Sequence, residues 1–270
     1  MRERLLRWGA YLLVAAAFAV VCGLLSQWQF DRNEQTTSQI ALVERNYDAK
    51  PMPLDDLIGA DGSLPTESEW HPVELHGQYL ADQQVLVRNR PHGGTSAFEV
   101  LVPFQDDGGR VLLVDRGWVP PAEDSSPGVV PAPPSGEATV VVRLRPGERL
   151  PSSGRSAPDG QVPTINLPTI AELVNPELVT GAYGQLASED PAPAKRLGGF
   201  DSPTEDPGPH LSYAIQWILF AIMGFAFIGY IIRTEIVKAK EDAGERPKRV
   251  KRRRDHDADD EDALLDAASR

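Results

Sequence analysis

The chain has 270 residues, a formal net charge of -12 and a single cysteine. An acidic chain of this kind excludes nucleic acid as a partner of the whole protein. One cysteine excludes a disulfide framework, C-x-x-C thiol chemistry and covalent haem attachment through C-x-x-C-H.

Residues 1–7 carry Arg2, Arg4 and Arg7, and residues 8–25 are an uncharged apolar run. About 17–25 such residues cross a hydrocarbon core roughly 30 Å thick as a helix. The run is longer than the ~7–15 apolar residues of a signal peptide, and Val20 and Val21 rather than small residues precede Cys22. The reading is an uncleaved transmembrane helix. Ala15, Ala19 and Gly23 form a small-residue stripe on it, suited to close packing against a second helix.

Residues 26–44 continue as a polar helical stretch containing Trp28, Gln29 and Arg32, with Trp28 and Arg32 sharing a face. Residues 51–66 are irregular. Short β-branched and aromatic runs at 73–79, 84–90, 98–104, 110–116 and 139–145 read as strands bounded by turn signals, among them His92-Gly93-Gly94 and Asp107-Gly108-Gly109. The second of these turns joins 98–104 and 110–116 as a hairpin. Residues 120–134 are a Pro/Gly/Ser-rich loop, Pro168 opens a short helix over 169–174, and 182–187 is a further strand. A second Pro-rich stretch, 191–209, leads to the second uncharged apolar run at 211–232. Residues 233–270 are a charged, disordered tail, basic over 246–254 and acidic over 255–262.

Positive charge flanks both apolar runs on their terminal sides, so both ends are cytoplasmic. Residues 26–210, about 185 in all and acidic by roughly two to one, lie outside as one domain. The expected fold is therefore an α+β membrane protein. Two transmembrane helices, N-in and C-in, flank one β-rich extracytoplasmic domain. The basic block beside the second helix suits topology and anionic lipid headgroups.

The entry to the second helix reads His210-Leu-Ser-Tyr213-Ala214-Ile-Gln216-Trp217. His210, Tyr213, Ala214, Trp217, Ala221 and Gly224 fall on one helical face. A neutral imidazole there suits an axial haem ligand, and the helix start favours anionic groups such as propionates. The same residues also suit an interfacial aromatic belt. Arg88-Asn89-Arg90 ends one strand, and Asp115-Arg116-Gly117-Trp118 ends another. Strand-end arginines either bind carboxylates and phosphates or form internal ion pairs that fix the turn; the spacing leaves both open. His71, His76 and His92 lack metal-ligand spacing. Without a nucleophile elbow, an H-E-x-x-H helix or a phosphate loop, an envelope hydrolase is disfavoured and no catalytic residue is assigned.

Four runs together resemble the SURF1 family of cytochrome c oxidase assembly proteins, over about residues 12–233. They are Trp28-Gln29-x-x-Arg32, Val87-Arg88-Asn89-Arg90, Asp115-Arg116-Gly117-Trp118-Val119-Pro120 and His210-x-x-Tyr213-Ala214-x-Gln216-Trp217. One departure is Ser26, where the family usually has glycine. The resemblance implies a non-enzymatic maturation factor in a bacterial plasma membrane, serving a haem–copper oxidase. Its expected cofactor is haem a, held transiently. Its expected partners are the oxidase catalytic subunit, the haem a synthesis machinery and membrane lipid. His210 would be the haem ligand, with Tyr213, Gln216, Trp217, Trp28 and Arg32 around it. The alternatives are a scaffold that stabilises assembly intermediates without touching haem, or a general membrane-anchored envelope interaction protein.

Overall fold

Residues 2–59, 62–152, 154, 156–203 and 206–245 are described by a computed structural model. In chain order the elements are α1 (Arg2–Asn46), α2 (Leu54–Leu57), β1 (Pro72–Tyr79), β2 (Val85–His92), β3 (Thr95–Asp106), β4 (Val111–Val119), β5 (Glu137–Arg145), β6 (Gln161–Val162), α3 (Leu167–Val174), β7 (Tyr183–Asp190) and α4 (His210–Asp242). The chain divides into two units, one made of its two ends up to Asn33 and from Pro209, the other Glu34–Gly208.

In the first unit, α1 and α4 are both long and apolar enough to cross a membrane. They pack antiparallel. Trp8 Nε1 donates to Glu235 Oε2 at 2.8 Å near one end, and His210 meets Gln29 at the other. Between them, Ser26 Oγ donates to the Ala214 carbonyl at 3.0 Å, and Gly224 leaves room for the Phe18 ring. The partner of the first helix is thus the second, as its small residues predict, but the seam differs. Ala15, Cys22 and Ser26 are buried, whereas Gly23 is exposed. Residues 8, 15, 22 and 29 of α1 and 214, 221, 228 and 235 of α4 line the contact at the seven-residue spacing of packed helix pairs. A stripe at every fourth residue advances about 40° per step, so it leaves this seam by Gly23. Helix α4 also runs on to Asp242, so the first ten residues of the expected disordered tail are helical. Residues 246–270 lie outside the described residues.

The second unit is built on a seven-stranded sheet in the order β1-β5-β7-β4-β3-β2-β6. An added pairing of β1 with β3 closes five of these strands into a barrel. The expected strands all form, within a few residues of their predicted limits, and β3–β4 is the expected hairpin. The two-residue β6, paired parallel to β2, was not anticipated. Alternation on the closed sheet sorts the side chains. Val73, Leu75, Phe98, Val100, Val102, Phe104, Leu112, Val114, Val140 and Val142 fill the interior together with α2 residues Leu54 and Leu57. On the outer face of β2, β3 and β4, Val85, Val87, Leu101, Val111 and Leu113 are covered by Leu167, Ile170 and Ala171 of α3. Asn166 caps α3 by accepting from Thr169 N at 3.2 Å, with Pro168 in the first turn. Because both faces are covered, β3 and β4 are buried in continuous runs rather than at alternate residues.

Gly77 sits where the barrel closes, facing Ala138 of β5 on one side and Asp106 of β3 on the other. A Cβ at this position would lie 2.0 Å from the Gln105 carbonyl oxygen. Gly77→Ala is therefore expected to force β1 and β3 apart and destabilise the domain by about 1–3 kcal/mol, read as a lower denaturant midpoint.

Candidate functional site

His210 is the first residue of α4. Its Nδ1 lies 2.9 Å from Gln29 Oε1 on α1. An amide oxygen only accepts, so Nδ1 carries the proton and donates it. In that tautomer Nε2 is the ring's lone-pair nitrogen. The arrangement follows from the helix seam, because Gln29 continues the 8-15-22 repeat and the Ser26–Ala214 bond fixes the next turn.

The other residues expected at this site are not all drawn to the imidazole. Trp217 is half-buried and makes an edge contact with Phe220, ring centres 5.7 Å apart. Tyr213 and Gln216 are exposed, as are Trp28 and Arg32 one turn apart on α1. The side chain that α1 brings to His210 is Gln29. Sequence reasoning passed over it in favour of the larger Trp28 and the charged Arg32, although its place on the heptad repeat was the available signal.

The strand-end arginines occupy opposite faces of the barrel wall. In β2 the register shifts between Val87 and Arg90, and Asn89 takes a left-handed backbone with φ 61°. This bulge turns Arg90 onto the outer face. There its Nε lies 2.6 Å from Glu99 Oε2, and its two terminal nitrogens reach both oxygens of Glu148 at 2.8 and 3.3 Å. Burial opposes the charge on Glu148, but the Thr164 hydroxyl, the Ile165 N–H and Arg90 outweigh it and hold the carboxyl below its ordinary range. His92 Nε2 lies 2.9 Å from the other oxygen of Glu99. The His92 ring stacks on Trp118 with centres 5.2 Å apart and planes within 3°.

Asp115 belongs to the same cluster and is 1% exposed. Burial, and then the charge of Glu99, push its carboxyl well above the usual range; the Gly117 N–H, 3.3 Å away, and Arg90 pull the other way. Arg116, the next residue, points inward. It pairs with Glu189 at 3.0 and 3.4 Å, while Tyr79 Oη donates to the same carboxylate at 2.9 Å. The Arg116 guanidinium also lies 5.2 Å from the centre of the Tyr79 ring. Gly117 and Trp118 hold the segment before α4. The backbones of Trp118 and Gly198 exchange hydrogen bonds at 2.9 and 3.0 Å, and Trp118 Nε1 donates to the Gly199 carbonyl at 2.9 Å. A side chain on Gly117 would collide with the Gly198 carbonyl. Of the two roles left open for these arginines, Arg90 and Arg116 take the internal ion pair. Among the described residues, no three His, Cys, Asp or Glu side chains are placed to hold a metal ion.

The upward push on the Asp115 carboxyl has a consequence for stability. A carboxyl whose folded pKa is raised stabilises the fold fully below its unfolded value of about 3.9, and that contribution is lost as pH rises through the folded value. Asp115→Asn keeps the acceptor for Gly117 without the charge. The variant is expected to match the wild type near pH 4 and to be the more stable protein at pH 8. Its advantage should grow by at most about 1.4 kcal/mol per pH unit in denaturant titrations.

A sequence model of the SURF1 family matches residues 16–222. The chain is 39% identical over 247 residues to uncharacterized SURF1-like proteins of Mycobacterium tuberculosis and Mycobacterium bovis, covering 89% of each chain. It is 28% identical over 258 residues to a SURF1-like protein of Monosiga brevicollis, covering 83% of this chain and 88% of that one. The yeast cytochrome oxidase assembly protein SHY1 is 29% identical over 121 residues, 44% of this chain and 30% of the yeast protein. With two helices able to cross a bilayer and these mycobacterial relatives, the protein is a bacterial membrane protein. It belongs to the SURF1 family.

Proposed function

We propose that this protein is an assembly factor for a haem–copper cytochrome c oxidase, and that it holds haem a at His210 on the outer side of the bacterial membrane. The observation that carries the haem reading is the Nδ1 contact with Gln29. A hydrogen bond at one ring nitrogen sets the tautomer and raises the basicity of the other, so His210 is prepared to offer Nε2 to a metal. Helix α4 begins without a side-chain cap, which leaves its first N–H groups to favour an anion. When bound, haem a supplies an iron for Nε2 and two propionates that need compensating charge. Arg32 is the cation of α1 nearest in sequence to Gln29, and Tyr213, Gln216, Trp217 and Trp28 are the remaining residues of the site. The outer placement of His210 rests on Arg2, Arg4 and Arg7 before the first apolar run and Arg233, Lys238 and Lys240 after the second.

The partners in this reading are the catalytic oxidase subunit and the haem a synthesis machinery, with lipid around the helix pair. The reading assigns binding and handover to the protein and no catalytic step. A scaffold that acts through Arg90 or Arg116 is supported less well, because both are already held by Glu99, Glu148 and Glu189.

The test is the visible spectrum of the detergent-purified full chain, co-expressed with the haem a biosynthetic enzymes. His210→Ala is expected to abolish the haem a band while leaving the far-ultraviolet dichroism unchanged. Gln29→Leu is expected to lower haem affinity about tenfold, as loss of a partner to a ligating histidine does. A folded His210→Ala protein with undiminished haem a would sink the haem assignment and leave the scaffold role.

A further inference from the structure

The cavity beside the β2 bulge has a volume of about 720 Å³, within the range of small-molecule pockets, and Arg88, Asn89, Arg90, Ser156, Pro163 and Thr164 line it. Two residues of β2, Arg88 and Asn89, stand where the register shifts between Val87 and Arg90. Bulges re-aim side chains in this way. Arg88 Nε is buried and has no hydrogen-bond partner. Among the described residues, its guanidinium also has no carboxylate within ion-pair distance.

The surroundings decide what such a cation can hold. Arg90 shares the wall but is already matched by Glu99 and Glu148, and the Thr164 hydroxyl is donated to Glu148. Among the described residues, Arg88 is therefore the guanidinium of this wall that touches no carboxylate, while Arg90 is shared by two. Because Glu99 and Glu148 share Arg90, a monoanion on Arg88 adds the least negative charge beside them, whereas a dianion such as phosphate would add twice as much. The planar fork of a guanidinium is also shaped for a carboxylate. The exposed Asn89 amide and the Ser156 hydroxyl add polar groups at the same wall.

We propose that this cavity is a binding site for a small carboxylate ligand, anchored by Arg88. The site is independent of His210, and its ligand is a molecule bearing a single carboxylate at the end that enters.

The experiment uses the full chain in detergent with ¹⁵N-labelled arginine. The Arg88 Nε–H signal is identified by its loss in Arg88→Lys. The protein is titrated with N-acetylglycine, with the uncharged N-acetylglycinamide and with inorganic phosphate. N-acetylglycine is expected to shift the signal saturably, the amide to leave it in place, and phosphate to bind about tenfold more weakly. Arg88→Lys, followed through neighbouring backbone amides, should weaken N-acetylglycine binding tenfold or more, since a charged hydrogen bond is lost. Arg149→Gln, which removes an exposed cation nearby in sequence, should not. Absence of a saturable shift, an equal response to the amide, or unchanged affinity in Arg88→Lys would overturn the site. Phosphate binding as tight as N-acetylglycine would overturn the carboxylate assignment, and a loss in Arg149→Gln would reduce the effect to diffuse surface attraction.

Discussion

Much of the domain depends on how one edge of β3 is shared. The first half of that edge pairs with β2 over Thr95–Leu101, and the second half with β1 over Phe104–Asp106. The second pairing is only three residues long, yet it turns a sheet into a ring. Once the ring is closed, every residue of the wall faces either the sealed interior or the outside, and a one-residue change in register would exchange the two. Phe98, Val100, Val102 and Phe104 then lie inside, while Glu99 and Leu101 lie outside. The same alternation separates Asp115 from Arg116. Closure also pairs the edge of β1 that an open sheet would present to other chains.

The ring carries no disulfide, since Cys22 is the only cysteine and lies in α1. Buried ion pairs join distant parts of the chain instead. Arg116 ties the end of β4 to β7 from inside, and Arg90 ties the end of β2 to β3 and to the strand-following residue Glu148 from outside. Such pairs add little over a well-packed apolar replacement, but removing one partner costs about 3–5 kcal/mol because a charge is left buried alone. Their value lies in that asymmetry. They hold the ends of strands in one arrangement, and Gly117 and Trp118 pass that order to the 198–200 segment through backbone hydrogen bonds.

The parts legible in the sequence were those set by local chemistry. Strand runs bounded by Gly-Gly turns, the hairpin at Asp107-Gly108-Gly109, the short helix behind Pro168 and the two long apolar helices all follow from neighbours in sequence. What depended on distant contacts was not legible. Ring closure rests on three residue pairs with no composition of their own, and β6 is two residues long. Glu99 sits in the middle of an apolar strand, and only the arrival of Arg90 makes its burial tolerable. Arg88, Arg90 and Arg116 look alike in sequence, and only their placement distinguishes two internally paired residues from one facing a cavity. At the helix pair, Trp28 and Arg32 drew attention by size and charge, whereas Gln29 is the residue in contact with His210.

The hydroxyl of Ser26 is hydrogen-bonded to the Ala214 carbonyl. The bond is buried between the helices, so together with the Trp8–Glu235 and His210–Gln29 contacts it holds the pair at one axial setting. If α4 slid by one turn, Gln29 would face Ala214 instead of an imidazole, and His210 would lose the acceptor for its Nδ1 proton. The two nitrogens of the ring would then be free to exchange roles. The axial setting of the helix pair and the proton position on a histidine are thus coupled in this molecule, with Ser26 one of the contacts that set both.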